Sequence, residues 1–121
     1  MTRVLLQLAA VLTLHGGNLE TVVGNNALAP VHVTIVVRER AVVGDSVRIG
    51  AEIPALIAPR EFTLQPGETQ VLRVRVRRAP QAPTIALVAR FEPVDAVPMR
   101  VAGVVARITM VTVLVGKVTV Q

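Results

Sequence analysis

Few side chains in this sequence can do covalent or acid–base chemistry, and their spacing keeps them apart. There is no cysteine, and Ser46 is the only serine, so a nucleophile would have to be Ser46 or a threonine beside an oriented base. Ser46 follows Gly44-Asp45, a turn pair, with no histidine near it in the chain. His15 opens a His-Gly-Gly-Asn turn and His32 falls on a strand, and both read as ordinary surface or loop histidines. A metal held by His15, His32 and an acid such as Glu20 would need a contact that no spacing in the chain supplies. Gly16-Gly17-Asn18 and Gly44-Asp45 are too short to cradle phosphate, and no Gly-Lys-Ser/Thr follows either. Glu92 and Asp95 flank Pro93 as a carboxylate pair, whose simplest role is to keep a loop solvated. The residues therefore predict no catalytic, cofactor-binding or metal-ligating group, no cofactor, and no enzyme.

Two patterns remain, and both are suited to binding. In Leu72-Arg-Val-Arg-Val-Arg77 the apolar residues alternate with Arg73, Arg75 and Arg77, so a strand there carries a basic ladder on one face. The ladder is a solvated sheet face or a surface for a partner or polyanion. The second pattern is Val104 to Val120, which reads as one long strand with Ile108, Met110, Thr112 and Leu114 on one face and Val111, Val113 and Val115 on the other. A strand apolar on both faces needs cover on both, and an apolar edge invites another strand to pair with it.

The elements that must position these patterns are strands. A chain of 121 residues is expected to form a single domain over 1–121 with one core. Valine and other aliphatics dominate, and Phe62 and Phe91 are the only aromatics, so the core is aliphatic and β-branched. Val4 to Leu14 reads as a first strand bent near Ala9-Ala10. Its basic start and apolar run imitate a signal peptide, but no small-x-small cleavage site follows. Further strands are expected at Leu19 to Val23, Val31 to Arg40, Val47 to Ile49, Phe62 to Leu64, Thr69 to Arg77 and Thr84 to Phe91. Ile53 to Ile57, broken by Pro54, fits an edge or a segment that changes sheets, and Val94 to Met99 reads as an irregular loop. Pro66-Gly67 and Gly44-Asp45 supply turns. Seven or eight short strands with turn signals between them predict an all-β, immunoglobulin-like sandwich of two antiparallel sheets. No apolar run is long enough to span a bilayer as a helix. The net charge of +5 comes from twelve arginines and Lys117 against eight acids. Without aromatic platforms among those arginines, nucleic acid is not an expected partner.

Pro59, Phe62, Leu64-Gln65-Pro66-Gly67, Gln70 and Leu72-Arg73-Val74 stand in an order that resembles the N-terminal immunoglobulin-like domain of the periplasmic chaperones that assemble pili by the chaperone–usher route. Leu12-Thr13-Leu14 with the following Gly-Gly, Asn25-Asn26 with Pro30, and Thr84 to Pro93 are similar to that domain in the same order. The resemblance implies a protein partner, a pilin-like subunit, bound by strand addition through the last strand. It places Ile108, Met110, Thr112 and Leu114 in the subunit's groove and Lys117 near the lysine that anchors the subunit's terminal carboxylate. The family pairs that lysine with an arginine on the first strand, where this chain has Val11, and it carries a second such domain, where these residues account for one. The alternative expectation is a structural subunit of a shell, tail or filament that self-associates, as a homo-oligomer, through the same strand. The compartment would be periplasmic or extracellular on the first reading, and an assembled particle on the second.

Overall fold

Alternation of more and less buried residues marks many of the strands of the computed structural model, which describes residues 6–8, 12–77, 82–94, 97–101, 103–108 and 111–121. Among them are twelve strand segments, β1 (Leu6–Leu8), β2 (Leu12–Leu14), β3 (Asn18–Asn25), β4 (Val31–Val43), β5 (Ser46–Glu52), β6 (Ala55–Ala58), β7 (Glu61–Leu64), β8 (Thr69–Val76), β9 (Thr84–Pro93), β10 (Val97–Val101), β11 (Val104–Ile108) and β12 (Thr112–Val120). No helix among the described residues is long and apolar enough to cross a membrane.

Two sheets face each other. The first has the order β1-β3-β8-β6, and the second runs β2-β12-β9-β4, with β5 and β7 both pairing along the far side of β4. The expected immunoglobulin-like sandwich is the architecture found, cut more finely than seven or eight strands. One pairing is parallel, β2 with β12, and the other pairings within the two sheets are antiparallel. Ala9-Ala10, where a bend is expected, lie outside the described residues; β1 before them pairs with β3, and β2 after them pairs with β12.

The core lies between the sheets and is aliphatic, as the composition requires. Val31, Val33, Ile35 and Val37 of β4, Leu72, Val74 and Val76 of β8, and Ile85, Leu87, Ala89 and Phe91 of β9 are all buried. Phe91 is the largest side chain fully enclosed, while Phe62 is only partly covered at the margin. Period-two alternation puts one set of residues inside and leaves the other, Arg73 and Arg75 included, in water.

Turn chemistry fixes the corners. Gly16 and Gly17, at φ 55° and 81°, close a two-residue loop in which His15 and Asn18 exchange backbone hydrogen bonds. Gly17 has no substitute here, because a Cβ at that position would stand 2.7 Å from the Val76 carbonyl oxygen. In Gln65-Pro66-Gly67-Glu68 the Glu68 amide donates to the Gln65 carbonyl, with Gly67 at φ 83°. The broken segment beside Pro54 behaves as expected of a sheet-switching piece. β6 leaves the second sheet to become the edge of the first, and β7 returns to β4 after a cis Ala58–Pro59 bond.

Three expectations are corrected. Val94 to Met99 is not wholly a loop, since Val97–Val101 forms β10. Val104 to Val120 is not one strand but two, because β11 folds back on β10 as a separate hairpin around Gly103 and β12 begins again at Thr112. The strand from Val31 extends to Val43, so that β4 and β5 form a long ribbon whose outer half, from Ala41 to Ser46, is exposed throughout. Continuity of apolar character cannot report where a ribbon leaves the body of the sandwich, which is why the second and third differ from expectation.

Candidate functional site

The C-terminal strand is bound unequally on its two sides. Along one side β12 pairs with β9 from Thr112 to Thr119 without a register shift. Along the other, β2 covers it only at Val118, Thr119 and Val120, opposite Leu12, Thr13 and Leu14. Residues 112 to 117 therefore have no ladder partner on that side among the described residues.

Two hydrogen bonds fix which backbone groups point where. The Val120 amide donates to the Pro83 carbonyl at 2.9 Å, toward β9, and the Gln121 amide to the Leu14 carbonyl at 2.9 Å, toward β2. Backbone direction alternates residue by residue in a strand, so even-numbered residues of β12 bond to β9 and odd-numbered ones face the other edge. Val113 and Val115 thus direct their N–H and C=O groups to the edge that has no partner among the described residues.

Side chains follow the same parity. Leu114 packs partly buried against the core and Val118 is fully buried, on the inward face. Val113 and Val115 are each 51% exposed on the outward face. The register carries that face across the sheet, from Val115 to Val88 of β9 and Val36 of β4.

The residues expected at a partner surface are distributed over two elements. Thr112 is exposed at the start of β12, Leu114 is turned toward the chain's own core, and Lys117 is exposed on the outward face. Ile108 belongs to β11, with its backbone opposite Val97. Met110 and Val11 lie outside the described residues. Sequence reasoning placed Val113 and Val115 together on one face of the strand, without saying that their backbone groups point away from β9. The alternation was visible, whereas which parity faces β9 depends on a strand nearly thirty positions away.

Arg73 and Arg75 project together from β8, with Arg77 exposed just beyond it. Arg73 meets Glu20 of β3 at 3.5 Å, with both side chains mostly in solvent, a geometry that contributes little to stability. Elsewhere the ionisable groups are dispersed. His32 lies 3.4 Å from the Thr63 hydroxyl, Glu92 accepts from Arg90 at 2.9 Å, and Ser46 is exposed opposite Val43 at the ribbon tip. Asp95 lies outside the described residues. No group of three or more histidine, aspartate and glutamate side chains that could hold a metal occurs among the described residues.

No protein-family model matches the sequence. No curated protein matches it either. The fold does match solved structures. The structure of the Salmonella enterica SafA pilin in complex with the SafB chaperone aligns over 100% of this chain and 56% of its own, at TM-score 0.63 and 17% identity. The CsuC–CsuE chaperone–tip adhesion subunit pre-assembly complex from archaic chaperone–usher Csu pili of Acinetobacter baumannii aligns over 97% of this chain and 56% of its own, at TM-score 0.59 and 12% identity. The class 5 fimbriae chaperone CfaA aligns over 96% and 57%, at 0.57 and 13%. The likeness at these identities is one of fold, an immunoglobulin-like sandwich, and the chain spans a little over half the length of each matched chain.

Proposed function

We propose that this chain is a non-enzymatic, one-domain assembly module that binds a protein subunit by strand addition along the edge of β12 that is unpaired among the described residues. The observation that carries the reading is the unequal pairing of that strand, which among the described residues is paired with β9 from Thr112 to Thr119 but with β2 only at Val118, Thr119 and Val120. An added strand would take up the outward N–H and C=O groups of Val113 and Val115, and the alternating side chains would set its register. Lys117 stands two residues beyond Val115 on the exposed face, where it would meet a carboxylate on the partner. The fold likeness supports a chaperone-like role, since two of the matched structures are complexes of a chaperone with a pilin or an adhesion subunit.

The parity of β12 supplies a clean test. Val113→Pro removes an amide hydrogen that β9 does not use, so the fold should survive, as proline is tolerated on the open side of an edge. Synthetic extended peptides of alternating valine and threonine, titrated onto the full chain, should protect the Val113 and Val115 amides from hydrogen exchange, and Val113→Pro should abolish the protection that remains to be read at Val115. Light scattering of the chain alone decides the alternative. A dimer or polymer that Val113→Pro dissolves would show a second copy on this edge and replace the chaperone-like reading with the structural-subunit one. Amides at 113 and 115 that stay protected in a monomer, with no peptide bound, would refute strand addition at this edge altogether.

A further inference from the structure

The outer face of the four-stranded sheet bears a groove that the strand-addition reading leaves unused. Its floor is β8, with β3 on one side and β6 on the other. The register sets Glu20, Arg73 and Ala58 in one row and Asn18, Arg75 and Leu56 in the next. Two depressions of about 430 and 520 Å³ share Leu56 and Arg75 as walls, one continuing to Gly16 and Arg77, the other to Glu20 and Arg73. They form one trough running the length of the arginine ladder.

The charges in the trough are unevenly satisfied. Arg73 has Glu20 at 3.5 Å, whereas no carboxylate among the described residues lies within 4.0 Å of Arg75 or Arg77. The trough is also not purely polar. Leu56 is 53% exposed inside it, and Val22 and Val71 are each 44% exposed on the same face beyond Arg73. Both aromatic side chains of the sequence are elsewhere, Phe91 in the core and Phe62 packed against it.

We infer that this trough recognises an extended acidic segment of a partner protein, with carboxylates at alternate positions. Successive arginines on one face of a strand repeat every two residues, roughly 6.8 Å, and an extended peptide repeats its own side chains at that same interval. Each guanidinium can take a carboxylate through paired N–H donors, while Leu56 and the Val22–Val71 patch receive the peptide's intervening apolar side chains. The absence of an aromatic platform disfavours stacked bases, and the apolar walls favour a polypeptide over a plain polyanion. Neither Arg75 nor Arg77 belongs to the β12 edge, so this surface would act together with strand addition or without it.

The test is fluorescence anisotropy of a labelled peptide of alternating glutamate and threonine with the full chain at low salt. Arg75→Glu with Arg77→Glu should weaken binding roughly ten- to a hundredfold. Arg48→Glu with Arg90→Glu makes the same change in net charge away from the trough, and should alter binding by less than about threefold. Val113→Pro should leave binding unchanged, which separates this inference from the function proposed above. A peptide of identical composition with its glutamates in one block should bind more weakly. Equal losses from the two double substitutions, equal affinity for the blocked peptide, tighter binding of homopolymeric single-stranded DNA, or no binding at low salt would each overturn the proposal. All four arginines are exposed, so thermal unfolding should be nearly unchanged in both double variants.

Discussion

Asn25 is fully buried and uses every polar atom it has. Its side-chain nitrogen donates to the Ala29 and Leu64 carbonyls at 3.0 Å, its side-chain oxygen accepts from the Ala27 amide at 2.9 Å, and its backbone groups bond to Glu68 and Gly67. One residue thus holds the loop after β3 against the turn before β8. Asn25→Ala would leave buried carbonyls without donors and is expected to cost about 2–4 kcal/mol, read from urea denaturation. Thr21 presents the opposite case, since its hydroxyl is buried with no hydrogen-bond partner among the described residues. Thr21→Val keeps the shape and removes the unsatisfied group, so it should raise stability by about 1 kcal/mol. Asn25 was legible in the sequence only as part of a loop resembling a family feature. Nothing in Asn25-Asn26 says which of the two is buried, because the groups that bind Asn25 come from residues as far away as Leu64, Gly67 and Glu68.

At the scale of elements, β12 gives the sharpest contrast. Leu114→Pro removes a hydrogen bond to β9 and a core contact, and should unfold the chain or lower its stability by at least about 3 kcal/mol. The neighbouring Val113→Pro should cost far less, and equilibrium unfolding of the two variants side by side checks the assigned parity. The ribbon of β4 and β5 offers a second comparison. Its tip packs on nothing among the described residues, with Val42 63% and Val47 51% exposed. Deleting Val42, Val43, Ser46 and Val47 joins the paired Ala41 and Arg48 through the same Gly44-Asp45 turn, and should change stability by less than about 1 kcal/mol. Strand faces were readable from the residues themselves. Leu72, Val74 and Val76 could only be buried while Arg73 and Arg75 stayed wet, and Val31 to Val37 alternated as unambiguously. Strand ends were not readable where both faces are apolar, as in Val104 to Val120, because hydrophobicity is equally consistent with a buried strand and with a ribbon that has left the body.

The whole molecule is closed by its termini. β2 and β12 bring residues 12–14 against residues 118–120, and Val118 is buried between the sheets. Removing Val118 to Gln121 deletes that closure together with a core side chain, so cooperative thermal unfolding should be lost or its midpoint should fall by well over about 10 °C. The sequence by itself determined the all-β class, the aliphatic core, the turns at Gly16-Gly17, Gly44-Asp45 and Pro66-Gly67, and the outward arginines, since each follows from local sterics or from period-two alternation. Tertiary structure decided the rest. It ended β11 at Ile108 and began β12 at Thr112, directed Leu114 inward and the amides of Val113 and Val115 outward, and set Leu56 beside Arg75 to wall a groove. Those outcomes depend on which distant strand lies alongside, and the energy that selects the neighbour is spread over a core that no single segment contains.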